Sequence, residues 1–152
     1  MRSQLVMWLG LAACASAPRA TAPTDRRDDA AIRDLVVRFE RGVASGDEAE
    51  LNALWLYQEI PFRYREAATG KVVDAGTGAA FAHDVAGANP KWDERMTGLA
   101  IGARDGLATL EASYQFLDGG HVTNHGREIW LLAKTETGWK IAAVAWSVTL
   151  DP

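Results

Sequence analysis

Apolar positions recur with a helical period from residue 28 to residue 45: Ile32, Leu35, Val36, Phe39 and Val43 lie 3, 4, 7 and 11 residues along one stripe. Asp28 or Asp29 stands in capping position and Gly46 is the stop. Asp47 followed by Glu50 is a capping-box-like pair, and Leu51, Leu54 and Trp55 give the second helix its apolar face, so the two helices form a tight hairpin. The period then changes to two: Ile60, Phe62 and Tyr64 alternate with Arg63 and Arg65, and Thr69-Gly70 turns the chain into a short strand, Lys71 to Asp74. Gly76 to Ala88 is rich in Ala and Gly, carries Phe81 and Val85 four apart and closes at Asn89-Pro90, which predicts a short third helix.

The last third holds strand-like runs at roughly 92–104, 107–118, 121–134 and 138–150, separated by the hairpin signals Asp105-Gly106, Gly119-Gly120 and Thr137-Gly138. In the second run Leu110, Ala112, Tyr114 and Phe116 share one face while Thr109, Glu111, Ser113 and Gln115 share the other, as expected of a sheet with one wet side. The third run, Ile129-Trp130-Leu131-Leu132, is apolar on both faces, which suits either a central, doubly covered strand or a contact between subunits. The pattern predicts one α+β domain over 28–150.

Charge and the N-terminal residues add location. Arg2, the apolar run Leu5 to Leu9 and the box Leu11-Ala12-Ala13-Cys14 resemble a bacterial lipoprotein signal, which implies cleavage after residue 13 and acylation of Cys14. Residues 14–27 then form the lipidated Cys and a tether, and Ala15 after the cysteine implies the periplasmic face of the outer membrane. Cleavage removes Arg2 and no acid, leaving 15 basic against 20 acidic residues, a surface that argues against nucleic acid as partner. Cys14 is the only cysteine, so disulfides, thiol catalysis and cysteine metal clusters in the domain are excluded.

Two stretches carry a family resemblance: "FERGVASGDEAELNAL" (39–54), a helix running through Gly-Asp into a second helix, and the late strand pair "GREIWLLAKTETGWKIAAVAWSV". Together with the element order they resemble the nuclear-transport-factor-2-like or ketosteroid-isomerase-like (SnoaL-like) superfamily, over about the whole of 28–150. The resemblance implies a strongly curved antiparallel sheet wrapped around about three N-terminal helices as a cone, with a pocket inside. Ketosteroid isomerases place a tyrosine on the first helix, an aspartate base on the first strand and a protonated acid on a later strand. Aligned on Gly46-Asp47, the tyrosine position is Phe39, the aspartate position falls near Arg63 or Tyr64, and only Glu128 stands where the second acid would be. That catalytic set is not retained, so no ketosteroid isomerase activity is expected.

The remaining catalytic candidates are Glu128, His125 and Tyr64, with His121 an alternative to His125 in a cyclase-like acid and histidine pair. His121 and His125 share a strand face but lack an evident third ligand, so no metal is expected, nor any cofactor. Phe39, Tyr57, Tyr64, Trp92, Tyr114 and Trp130 are the expected pocket lining, and Trp92-Asp93-Glu94-Arg95 suits an aromatic wall with a charged rim at the mouth. The expected function is binding of a small apolar or amphipathic ligand by a lipid-anchored envelope protein. The alternatives are an acid-base isomerase or cyclase, and a module that dimerises through its sheet or docks on an envelope complex. An open apolar cone favours the binder, converging ionisable groups favour the enzyme, and a cone filled by Trp130 and Trp146 favours the module.

Overall fold

The computed structural model describes residues 24–151, so Cys14, the signal segment and most of the tether lie outside the described residues. Helix α1 (Arg26–Ser45) buries the predicted stripe, with Ile32, Leu35, Val36, Phe39 and Val43 no more than 2% exposed. Its cap is Asp25, whose carboxylate accepts from the Arg27 backbone N–H at 2.8 Å, so the helix begins a turn earlier than the sequence suggested. Asp28 is instead a tertiary anchor, accepting from Lys134 Nζ at 2.7 Å and from Trp139 Nε1 at 3.1 Å. Gly46 ends α1 in the left-handed conformation, φ 69°, which costs glycine no Cβ clash. Asp47 caps α2 (Glu48–Leu54) through the Glu50 N–H, and the Glu50 carboxylate returns to Arg38 and Arg41 on α1, which ties the helical hairpin together.

Strands β1 (Pro61–Glu66) and β2 (Val72–Thr77) form a hairpin, followed by α3 (Gly78–Gly87) and a meander of four long strands, β3 (Trp92–Arg104), β4 (Leu107–Asp118), β5 (His121–Thr135) and β6 (Gly138–Leu150). They make one sheet in the order β2-β1-β6-β5-β4-β3. The sheet is mixed: β1 runs parallel to β6, and every other pair is antiparallel. The physical reason is that α3 and the whole meander intervene before the chain returns beside β1.

Curvature comes from irregularities in the ladders. Register shifts occur between Thr97 and Ala100 around Gly98 (φ 65°), between Phe116 and Leu117, and between Leu131 and Leu132. The bent sheet closes over α1 and α3, and Phe39 at the centre of α1 meets Trp130 edge-on at 5.0 Å and stacks on Phe81 at 5.9 Å. β5 is an interior strand covered on one side: Trp130 and Leu132 are fully buried, whereas Ile129 and Leu131 on the opposite face are each 46% exposed.

An acid pair in an aromatic cavity

Alternation along the strands sends Phe62 and Tyr64 from β1, Tyr114 and Phe116 from β4 and Trp146 from β6 to the concave side, where Phe39 and Phe81 face them from the helices. Between them lies a cavity of about 710 Å³. The aromatic groups brace one another: Phe62 lies 5.3 Å from Phe81 and 5.9 Å from Trp146, and Tyr64 lies 5.4 Å from Trp146. The β1–β2 turn, Glu66 to Thr69, and the end of β6, Val148 to Leu150, form the mouth.

Two glutamates lie at the inner end. Glu94 on β3 and Glu128 on β5 are 6% and 5% exposed, and their carboxyl groups come close enough across the intervening β4 for each to act on the other's proton. The residue directly opposite Glu128 on β4 is Ala112, which leaves the carboxyl room to reach across. Trp130, one pleat along β5, donates its indole N–H to Glu128 Oε1 at 2.8 Å. Burial pushes the Glu94 carboxyl well above the ordinary range, and the neighbouring charges of Glu128, Glu40 and Asp93 push the same way. Burial also raises Glu128, opposed by the hydrogen bonds from Glu94 and Trp130. Glu94 is therefore the proton holder and Glu128 the better acceptor. Two carboxyls sharing a site cannot both ionise cheaply.

Tyr114 completes the floor without facing the pair. Its hydroxyl lies 2.9 Å from Asn124 Oδ1 and 3.1 Å from the Ser147 carbonyl, and its one proton is held between those two acceptors. Gly126 makes that arrangement available, because a Cβ there would collide with the Ser147 carbonyl oxygen. Burial first, then the charges of Glu128 and Glu94, raise the Tyr114 hydroxyl, so it stays protonated. Among the described residues that line the cavity there is no Lys, Arg or His.

The structure brings together Phe39, Tyr64, Tyr114 and Glu128 from the sequence candidates, with Trp130 fully buried beneath Glu128. Tyr57 does not join them; it is 51% exposed in the loop after α2. Trp92 packs on the edge of Phe116 at 5.3 Å, outside the lining. Glu94 is at the inner end, not on a charged rim at the mouth. His125 cannot act with Glu128, since odd positions of β5 point to the opposite face, where His125 Nδ1 sits 3.0 Å from Asp151 Oδ2. His121 is exposed at the strand start. Arg63 also points away, paired with Asp74 at 2.6 Å, so Tyr64 is the residue the first strand offers to the cavity. Phe62, Phe81, Phe116 and Asn124 were not among the lining residues expected from the sequence, and Glu94 was expected only as part of the rim. For Glu94 a signal existed in the alternation Trp92, Glu94, Met96, which puts the acid on one strand face with two apolar residues, but the bulge at Gly98 stops that pattern from extending along β3.

Solved structures share this architecture. A Streptomyces avermitilis protein of the nuclear-transport-factor-2-like family, provisionally named a dehydratase, superposes with a TM-score of 0.66 at 14% identity, covering 82% of this chain and 98% of its own. A nuclear-transport-factor-2-like protein with a cystatin-like fold from Novosphingobium aromaticivorans gives 0.60 at 17% identity, covering 80% and 82%.

The chain has the nuclear-transport-factor-2-like fold.

A superfamily protein of the same kind from Salmonella enterica gives a TM-score of 0.59 at 20% identity, covering 80% of this chain and 90% of its own. No protein-family model and no curated protein matches the sequence. In this nuclear-transport-factor-2-like domain the cavity occupies the inside of the cone, where helices and sheet diverge, and it holds two buried carboxyls, one of them pushed well above the ordinary range, in aromatic surroundings.

Proposed function

We propose that this protein is a lipid-anchored envelope protein whose cone binds a small, largely apolar molecule with one polar end. The observation that carries the reading is the cavity: about 710 Å³, within the range of small-molecule sites, walled by aromatic rings and closed by one polar pair, Glu94 and Glu128. A merely structural core would close such a volume, because side chains in cores pack to the density of organic crystals. The Leu11-Ala12-Ala13-Cys14 box supports the anchor. The test is titration of the full chain with the neutral fluorescent probe N-phenyl-1-naphthylamine. Saturable binding at one site, weakened by Trp146→Ala, is expected, and absence of saturable binding overturns the reading.

The acid pair favours one second reading. Glu94 holds a proton and Glu128 offers an acceptor, the two halves of general acid-base chemistry. An isomerase, cyclase or dehydratase on this site turns over its substrate many times per site and loses that turnover in Glu128→Gln, whereas a binder shows none. The exposed Ile129 and Leu131 on the outer sheet face support a contact with a second copy. Sedimentation that stays dimeric in Leu131→Glu counts against that contact.

A further inference from the structure

We propose that the molecule bound in the cone carries a cationic nitrogen, and that its ammonium group docks against Glu94 and Glu128. This rests on the ligand-binding reading above and names the chemical class of that ligand.

Glu94 and Glu128 at the inner end and Glu66 at the mouth are the ionisable carboxyls of the lining, Glu40 and Asp93 lie close enough to act on Glu94, and no basic side chain lines the cavity among the described residues. Buried carboxylates are ordinarily paired with a cation inside the protein. Here the protein supplies none, and Glu94 keeps a proton in its place. A ligand cation is the missing counter-charge.

Donors make the second argument. A ligand ending in a carboxylate or carbonyl needs several N–H or O–H groups aimed at it, and the donors nearest the acid pair are already engaged, while the Tyr64 hydroxyl, in the same row of the sheet but two strands from Glu128, offers a single donor. The Trp130 indole N–H is given to Glu128, the Tyr114 proton to Asn124 and Ser147 and the Asn124 amide to Thr123 at 3.3 Å, and the Glu94 proton is held within the acid pair. A neutral acceptor must break the carboxyl pair to gain one hydrogen bond, and an anion meets further negative charge. An ammonium, which only donates, finds carboxyl oxygens free to accept.

The walls agree. Phe39, Phe62, Tyr64, Phe81, Phe116 and Trp146 present ring faces and edges around the same volume, and cations gain from aromatic faces when both are removed from water. Phosphate or sulfate esters are poorly matched, since no basic side chain is among the described lining residues and three carboxyls are.

Proton balance gives the proposal a signature. Around the pair stand Glu40 from α1, whose carboxylate accepts from the Met96 backbone N–H, the Trp130 indole from β5, which donates to Glu128, and the Tyr114 ring from β4, whose hydroxyl is turned to Asn124 and Ser147; Asp93 lies on the opposite face of β3, paired with Arg95 at 3.1 Å. An arriving ammonium favours the doubly ionised pair, so Glu94 releases its proton to solvent as the complex forms. Binding then tightens as pH rises, up to the pH at which the amine itself loses its proton.

The experiment uses three probes of one shape, 1-adamantylamine, 1-adamantanol and adamantane-1-carboxylate, titrated calorimetrically into the full-length protein in buffers of different ionisation enthalpy. The amine is expected to bind at least about tenfold more tightly than the alcohol, and the carboxylate least, with net proton release for the amine alone. Glu128→Gln is expected to erase the preference for amine while retaining binding of the alcohol. Equal affinities, or tightest binding of the carboxylate, overturn the cationic ligand and leave the binding reading standing. If neither these probes nor N-phenyl-1-naphthylamine binds at all, the binding reading itself falls. Because the probe series is compared on the unaltered protein, the result does not depend on whether a variant folds.

Discussion

The buried carboxyl groups of Glu94 and Glu128 come together across a strand that belongs to neither: the two residues stand on β3 and β5, with β4 between them, and Glu94 is the one that keeps its proton. That contact sets the pH behaviour of the fold. The folded state holds a proton on Glu94 well above the ordinary glutamate value of 4.5, whereas the unfolded chain releases it near that value. Stability from this group is therefore complete below about pH 4.5 and is lost as pH rises from there to the raised folded value. Thermal melts across this window are expected to show a falling Tm. Glu94→Gln, neutral and still a donor, should flatten the fall. An unchanged slope in the variant would assign the pH dependence to another group.

Gly126→Ala is expected to destabilise the domain by about 1–3 kcal/mol, read from denaturant midpoints, because the added methyl meets the Ser147 carbonyl, which is backbone and cannot swing aside. A urea curve with an unchanged slope and a lowered midpoint reports the effect. Gly87→Ala, where a Cβ meets nothing within 4 Å, is the matched control and should leave the midpoint within about 0.5 kcal/mol of the parent or above it.

Removing the indole donor tests how Glu128 is held. Trp130→Phe keeps an aromatic ring against Phe39 but leaves Glu128 Oε1 without its 2.8 Å partner, so the Glu128 carboxyl should rise further and stability should drop by about 1–3 kcal/mol. A carboxyl titration followed by NMR checks the direction. A downward shift would mean that another donor takes the place of the indole.

Trp146→Ala opens one wall of the cavity and removes the ring that meets Phe62 edge-on and lies tilted against Tyr64. Binding of N-phenyl-1-naphthylamine should weaken about tenfold or more, the size common for an aromatic anchor at the centre of a contact. Tyr57→Ala, outside the lining, should leave binding unchanged.

Cys14→Ser tests the anchor. The variant is expected to remain an unprocessed precursor that incorporates no fatty acid when cells are fed labelled palmitate. Normal labelling would remove the lipoprotein reading while leaving the cavity untouched.

Local patterns in the sequence determined the elements. The stripe from Ile32 to Val43 needs only a helical period, and Asp105-Gly106 and Gly119-Gly120 need only turn geometry, so α1 and the meander were legible from neighbouring residues alone. Pleat alternation puts Glu128 on the same face as Trp130, but with residues 129–132 apolar on both faces the sequence left open which face turns inward, and only the structure buries the even positions. Tertiary structure decided what those elements bring together. That β1 lies parallel to β6, that Asp28 reaches Lys134 and Trp139, and that Phe62 and Phe81 close one wall depend on strand order and curvature, which no local pattern encodes. His125 seemed a partner for Glu128 by distance along the chain, yet three residues in a pleated strand is an odd number and sends the two to opposite faces. Glu94 shows the division most clearly: in sequence it is one charge in a mixed run, and only the bend at Gly98, the two intervening ladders and burial beneath aromatic rings turn it into an acid that keeps its proton.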